Sequence, residues 1–126
     1  MLFDAMHHVA IIVSDYQRAK EFYVEKLGFP VLRERFREDR GDWKLDLRFG
    51  DGALEIFSIP GAPPRPSYPE ARGLRHLAFR AADIEAAVRY LEGQGIACEP
   101  IRLDPDTGGR FTFFHDPDGL PLELHE

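Results

Sequence analysis

Apolar positions along the chain change rhythm at regular intervals. Residues 7–13 (HHVAIIV) form a short, β-rich apolar run and predict a strand. Ser14 or Asp15 can cap a helix after it. Its apolar positions Tyr16, Ala19, Phe22, Tyr23 and Leu27 follow helical spacing, and Gly28 stops it. Residues 29–37 and 43–49 then read as strands. Asp51-Gly52 is a hairpin-turn signal, and residues 53–59 make the next strand. The order recurs further on. Residues 75–81 predict a strand and Asp83 a helix cap. Ile84, Ala87, Val88 and Leu91 give the helix its apolar face, with Gly93 or Gly95 as its end. Residues 96–103, 110–115 and 120–125 read as strands, separated by turns at 104–109 and 116–119. The predicted fold is α+β: two βαβββ modules in tandem that form a cupped mixed sheet.

Between the modules lies a connector. Five of the ten prolines fall within residues 60–69, where the missing backbone donor rules out a strand or helix interior. The expected organisation is a single domain made of a first module at 1–59, a proline-rich linker at 60–72 and a second module at 73–126. Overlaying the halves aligns His8, Ala10 and Asp15 with His76, Ala78 and Asp83, and Leu54-Glu55 with Leu122-Glu123, all at an offset of 68 residues. Two separated coincidences at one offset point to a duplicated unit whose copies pack together.

The repeat selects four residues of metal-binding type: His8, Glu55, His76 and Glu123. Each sits on a predicted strand among apolar neighbours, where an unpaired charge is expensive. A divalent cation would give the carboxylates a partner. Two imidazoles and two carboxylates suit a borderline ion, with zinc or nickel foremost and cobalt, manganese or iron as further fits. An octahedral ion would keep two positions for water or substrate. His7 competes with His8, but neighbours on a strand face opposite ways, and only His8 fits the register in which Ala10 and Asp15 match Ala78 and Asp83.

Composition narrows the remaining classes. The net charge is −6 and the pI about 5.3, so no nucleic-acid partner is expected. No apolar run approaches the roughly 20 residues of a membrane span, and MLFDAMHH lacks the pattern of a secretory signal. The lone Cys98 excludes an internal disulfide and reads as a small, partly buried apolar residue. These features together predict a cytoplasmic protein. Period-2 counting puts Phe57 on the face of Glu55 and His125 on that of Glu123. Trp43, Lys44, Arg48, Arg75 and Arg110 are candidates to meet an anionic substrate. The run Arg33 to Arg40 mixes signs and predicts a solvent-facing strand or hairpin.

The paired modules, the helix ending Lys26-Leu27-Gly28-Phe29 and the C-terminal stretch FHDPDGLPLE at 114–123 resemble the vicinal oxygen chelate superfamily. That group includes glyoxalase I, bleomycin-resistance proteins and extradiol dioxygenases. The chain is also similar to a bacterial subgroup of small glyoxalase-like proteins, through GLRHLAF at 73–79 and RFTFF at 110–114. The resemblance implies one divalent metal in a cup of curved sheet, held at the positions of His8, Glu55, His76 and Glu123. The full His-Glu-His-Glu set points to the glyoxalase I branch. The implied enzyme is a metal-dependent lyase or isomerase acting on a small carbonyl or hemithioacetal substrate through an enediolate. Glu123 is its favoured proton-transfer base and Glu55 the symmetric competitor. Ile12 and Ile59 stand where glutathione-using members place Arg and Asn, with Arg80 the symmetric cation in the second module. Phe57, Arg80, Arg110, Trp43 and His125 are the expected substrate-pocket residues. A homodimer is the expected assembly, with modules paired within a chain or exchanged across it. The alternatives are an Fe(II) dioxygenase or thiol transferase of the same superfamily, and a non-catalytic drug- or metabolite-binding protein.

Overall fold

The computed structural model describes residues 1–126, which divide into two compact units, Met1–Pro64 and Arg65–Glu126. In the first unit the order is β1 (His8–Val13), α1 (Tyr16–Lys20), a π-helical continuation (Glu21–Lys26), β2 (Val31–Arg37), β3 (Asp42–Phe49) and β4 (Gly52–Ser58). The second unit repeats it with β5 (Leu77–Arg80), α2 (Ile84–Gly93), β6 (Arg102–Leu103), β7 (Arg110–His115) and β8 (Pro121–His125). Each unit forms its own four-stranded mixed sheet, ordered β1-β4-β3-β2 and β5-β8-β7-β6. The first strand of each sheet runs parallel to the last, and the remaining pairs are antiparallel.

Alternation along each strand separates a core face from a polar face. In β4, Leu54 and Ile56 are buried with Leu45 and Leu47 of β3. Tyr16, Ala19, Phe22 and Tyr23 of the helical segment are buried as well. In the second unit, Leu122, Leu124, Phe114 and Phe79 are buried together with Ile84 and Leu91 of α2. The residues between these core positions, including Glu55 and Glu123, face the other way. They are therefore not buried among Leu and Ile, and the full cost of an apolar burial does not fall on them.

The helix ends follow local chemistry. Asp15 and Asp83 are extended N-caps whose carboxylates accept from the backbone N–H groups of Arg18 and Ala86 at 3.0 Å. At the end of α2, Gly95 takes φ +79°. Its N–H donates to the Glu92 carbonyl (3.0 Å) and that of Ile96 to the Leu91 carbonyl (2.9 Å), a Schellman closure with Ile96 and Leu91 both buried. The first helical segment widens near its end, where the Leu27 N–H donates five residues back to Phe22 (2.9 Å).

Two expectations need correcting. The predicted strand at 96–103 is reduced to Arg102–Leu103. Pro100 has no N–H to give, and the Glu99 carbonyl accepts from the Thr112 hydroxyl at 2.6 Å. In the β3–β4 turn, the left-handed residue is Gly50 (φ +55°) and not Gly52. Gly52 is needed for close approach: a Cβ there would lie 3.1 Å from the His7 carbonyl oxygen. No helix is long and apolar enough to cross a membrane.

Removing either end device should weaken the second unit without touching the polar face. Asp83→Ala and Gly95→Ala are each expected to lower the unfolding free energy by about 1 kcal/mol, read as a shift in the denaturant midpoint at constant slope.

Candidate metal and substrate site

Each unit builds the same pair of side chains. The β1–β4 register sets His8 beside Ala53 and Ala10 beside Glu55, so His8 and Glu55 are diagonal neighbours on the polar face. His8 Nε2 stands 3.5 Å from Glu55 Oε2. In the second unit Ala78 lies beside Glu123, and His76 Nε2 is 3.5 Å from Glu123 Oε2. The repeated alanine thus acquires a role. On the side of β1 and β5, only a methyl group lies directly beside each carboxylate, which leaves room for the diagonal histidine.

Two donors with bonds of about 2.0–2.2 Å to one ion lie about 3 to 3.5 Å apart at tetrahedral or octahedral angles. Both His–Glu pairs fit that spacing, and their donor types suit a borderline divalent ion. Each pair offers two donors; no group of three or more His, Cys, Asp or Glu side chains placed to hold a metal ion is gathered in the chain. His7, set aside as a ligand, touches His8 from behind. Their Nδ1 atoms are 2.8 Å apart. With His8 as donor in that bond, its Nε2 keeps a lone pair toward Glu55, the arrangement that an outer partner gives a metal-binding histidine.

Around the pairs the two units differ. Asp46 stands opposite Glu55 and Lys44 opposite Phe57. Lys44 Nζ lies 2.9 Å from Asp46 Oδ1 and 3.4 Å from Glu55 Oε1, so it bridges the two carboxylates. Arg33 Nε donates to Asp46 at 3.0 Å. Arg37 forms a two-pronged pair with Asp42, both bonds at 2.6 Å, and lies over the Phe57 ring at 4.7 Å. In the second unit the equivalent positions are aromatic: Phe113 stands opposite Glu123 and Phe111 opposite His125. The His76 ring meets Phe113 edge-on at 5.0 Å. A cleft of about 170 Å³ beside His76 is lined by Arg75, Glu70, Arg102, Glu99, Phe113 and His115.

The other candidates are divided by face. Phe57 shares the face of Glu55, and Arg80 and His125 share that of Glu123. His125 is no frayed end: its Nδ1 is 2.7 Å from the Glu126 carbonyl oxygen and its Nε2 3.3 Å from Asp104 Oδ2. These two acceptors hold its pKa above the ordinary histidine value. Trp43 and Arg110 are on the opposite, helix-covered faces. Trp43 stacks on Tyr16 at 4.7 Å, and Arg110 is held by Glu85 and Glu126 at 2.8 and 2.6 Å. Strand alternation removes both from the polar face. Arg75 is tied to Glu70 at 2.9 Å. Sequence reading missed Asp46 and Asp42, and weighed His7 only as a rival ligand to His8. It also missed the alternation of Arg33, Arg35 and Arg37, a period-2 signal inside a run taken for mixed surface charge.

Comparison with known proteins agrees with this fold. The family profile "Glyoxalase/Bleomycin resistance protein/Dioxygenase superfamily" matches residues 5–124. The chain is 57% identical over 127 residues to the uncharacterized protein YwkD of Bacillus subtilis, covering 100% of this chain and 99% of that one. It is 34% identical over 142 residues to a 2-epi-5-epi-valiolone epimerase of Actinomyces sp, covering 95% and 78%. A crystal structure of a glyoxalase family protein from Enterococcus faecalis superposes with TM-score 0.94 at 60% identity, covering 100% of each chain. More distant similarity links it to a probable chloroplastic lactoylglutathione lyase of Arabidopsis thaliana, 28% identical over 96% of this chain and 35% of that one. An antibiotic binding protein from Streptomyces, TnmS3, aligns at 30% identity and TM-score 0.78, covering 99% and 97%.

The buried carboxylates of the first sheet set an acid limit. Burial alone would raise the Asp46 pKa, but Lys44 and Arg33 outweigh it and hold it below the usual carboxylate range. The Arg37 guanidinium does the same for Asp42. Both groups therefore contribute stability above their unfolded pKa near 3.8, and it is lost as the pH falls through the lower folded values. Unfolding free energy measured from pH 6 down to about 3 should fall steadily. Asp46→Asn should start about 1–3 kcal/mol lower at neutral pH and fall less steeply.

Proposed function

The chain belongs to the Glyoxalase/Bleomycin resistance protein/Dioxygenase superfamily, and on that premise we propose that it is a metal-dependent lyase or isomerase of glyoxalase I type. Its substrate is a small carbonyl compound or hemithioacetal with two adjacent oxygens. The observation that carries this reading is the His–Glu pair at 3.5 Å, built twice on equivalent strands. The residues that would hold the divalent ion, zinc or nickel foremost, are His8, Glu55, His76 and Glu123. The bound metal supplies a Lewis acid that stabilises negative charge as a carbon-bound proton leaves.

The proton belongs to a carboxylate, and the surroundings favour Glu123. Glu55 has Lys44 on its second oxygen, which stabilises its anion and fixes its position. Glu123 has His76 on one side and Phe113 opposite it, and Arg75 and His125 act on it only through their fields, without the ion-pair contact that Lys44 makes with Glu55. A carboxylate in that setting would be free to take a proton from carbon and return it to the neighbouring carbon. Removal and return of such a proton serves an epimerisation or an isomerisation alike, which agrees with an epimerase and a lactoylglutathione lyase among the relatives. The fourth donor, a second Glu, argues against a 2-His-1-carboxylate dioxygenase.

The test combines elemental analysis with turnover of methylglyoxal–thiol adducts in D2O, with and without chelator. Metal uptake, chelator-sensitive turnover and deuterium exchange at carbon are expected. Glu123→Gln should lose about 10²–10⁴-fold in turnover, with a smaller loss for Glu55→Gln at saturating metal. A larger loss in Glu55→Gln than in Glu123→Gln would reverse the assignment of the base. Metal uptake without proton exchange on any adduct would leave a binding protein and end the enzymatic reading.

A further inference from the structure

The polar face of the first sheet is cationic although the chain carries a net charge of −6. Strand alternation and register place Arg33, Arg35, Arg37, Lys44 and Arg48 on it, against Asp42, Asp46 and Glu55. Each carboxylate is already engaged. Asp42 takes Arg37, Asp46 takes Arg33 and Lys44, and Glu55 takes His8 and Lys44. Arg35 and Arg48 are left exposed, with no side-chain partner. Arg35 stands directly beside Lys44 in the β2–β3 register, and like charges in such a pair are destabilising. The arrangement gains nothing within the unit itself.

Position supplies the reason. Arg48 pairs with Ala53, and Ala53 lies beside His8, so the three form one row across the sheet. The Arg48 and His8 backbones are about two strand spacings apart, or roughly 10 Å, and only a methyl group intervenes. An extended arginine crosses that gap to a group held next to His8 and Glu55. We propose that Arg48 binds an oxyanion of the substrate, a phosphate or carboxylate carried a few bonds from the two chelating oxygens, while Arg35 strengthens the attracting field from the far edge. The guanidinium fork matches either oxyanion. This subsite names a substrate class for the reaction proposed above and rests on that reading for its chelating half. In the second unit the matching position, opposite Pro121 in the row of His76, is His115, a shorter side chain without the guanidinium fork.

Three α-hydroxyketones test it on the full chain: neutral dihydroxyacetone, dihydroxyacetone phosphate and 5-hydroxy-4-oxopentanoate. In the metal-free protein, NMR of arginine Nε–H groups should show Arg48 shifting with the two charged probes and not with the neutral one. In metal-loaded protein a charged probe should bind about tenfold tighter than dihydroxyacetone, the advantage shrinking with salt. Arg48→Gln should erase it, Arg35→Gln reduce it, and Arg18→Gln, on the helix, retain it. The tighter charged probe identifies the oxyanion. Equal binding of neutral and charged probes, or an undiminished preference in Arg48→Gln, overturns the subsite. Failure of metal uptake with the Arg48 shift retained ends the metal reading and leaves the subsite standing.

Discussion

Everything at the site depends on parallel pairing between the first and last strands of each unit. That pairing lays His8 diagonal to Glu55 and, in the second unit, His76 diagonal to Glu123. A helix and two strands separate each pair in sequence, so only closure of the sheet brings them together. The core secures the closure from behind. Leu54 and Ile56 bracket Glu55, Leu122 and Leu124 bracket Glu123, and all four are buried. A one-residue slip in either strand would turn the carboxylate toward the helix and a leucine toward solvent. Hydrophobic burial on one face thereby fixes the chemistry on the other.

Duplication supplies two equal His–Glu pairs, and their neighbours then make them unequal. In the first sheet the carboxylate is set among Lys44, Asp46 and Arg33; in the second it is set among aromatic rings. The His–Glu spacing is the same in both, so the difference lies in what each carboxylate can do next. One is bridged to a cation and held in place. The other lies beside aromatic rings, with Arg75 and His125 acting on it only through their fields. Such a division suits a pair in which one member anchors and its twin moves.

Much of this was legible in the sequence because local rules wrote it. Asp15 and Asp83 act as caps, the βαβββ order holds in both units, and the offset of 68 aligned the histidines and glutamates. The asymmetry was harder to see. The two hairpin turns differ in length by one residue, so the positions opposite the glutamates, Asp46 and Phe113, lie 67 apart. The sequence overlay at 68 sets Asp46 on Phe114 instead, a core residue. Trp43 and Arg110 were misjudged for a related reason. Residue type suggested a substrate contact, while parity along the strand assigned both to the helix side. The strand at 96–103 was drawn too long because its apolar run was followed through Pro100, whose missing N–H interrupts the ladder.

The cationic face follows from the same separation of duties. Stability resides in the buried leucines and aromatics beneath the sheet, so the polar face is free to carry charges that do not neutralise one another. Random surface charge would leave unmatched groups of both signs. Here every carboxylate on the face is engaged and only arginines are left over, one of them beside a lysine. An arrangement that weakens the free protein slightly is retained when something else completes it. Arg48 lies in the row of His8 with only Ala53 between them, so an anion that completes it would be held next to the first donor pair. Recognition and chemistry would then share one sheet, with their separation set by strand spacing.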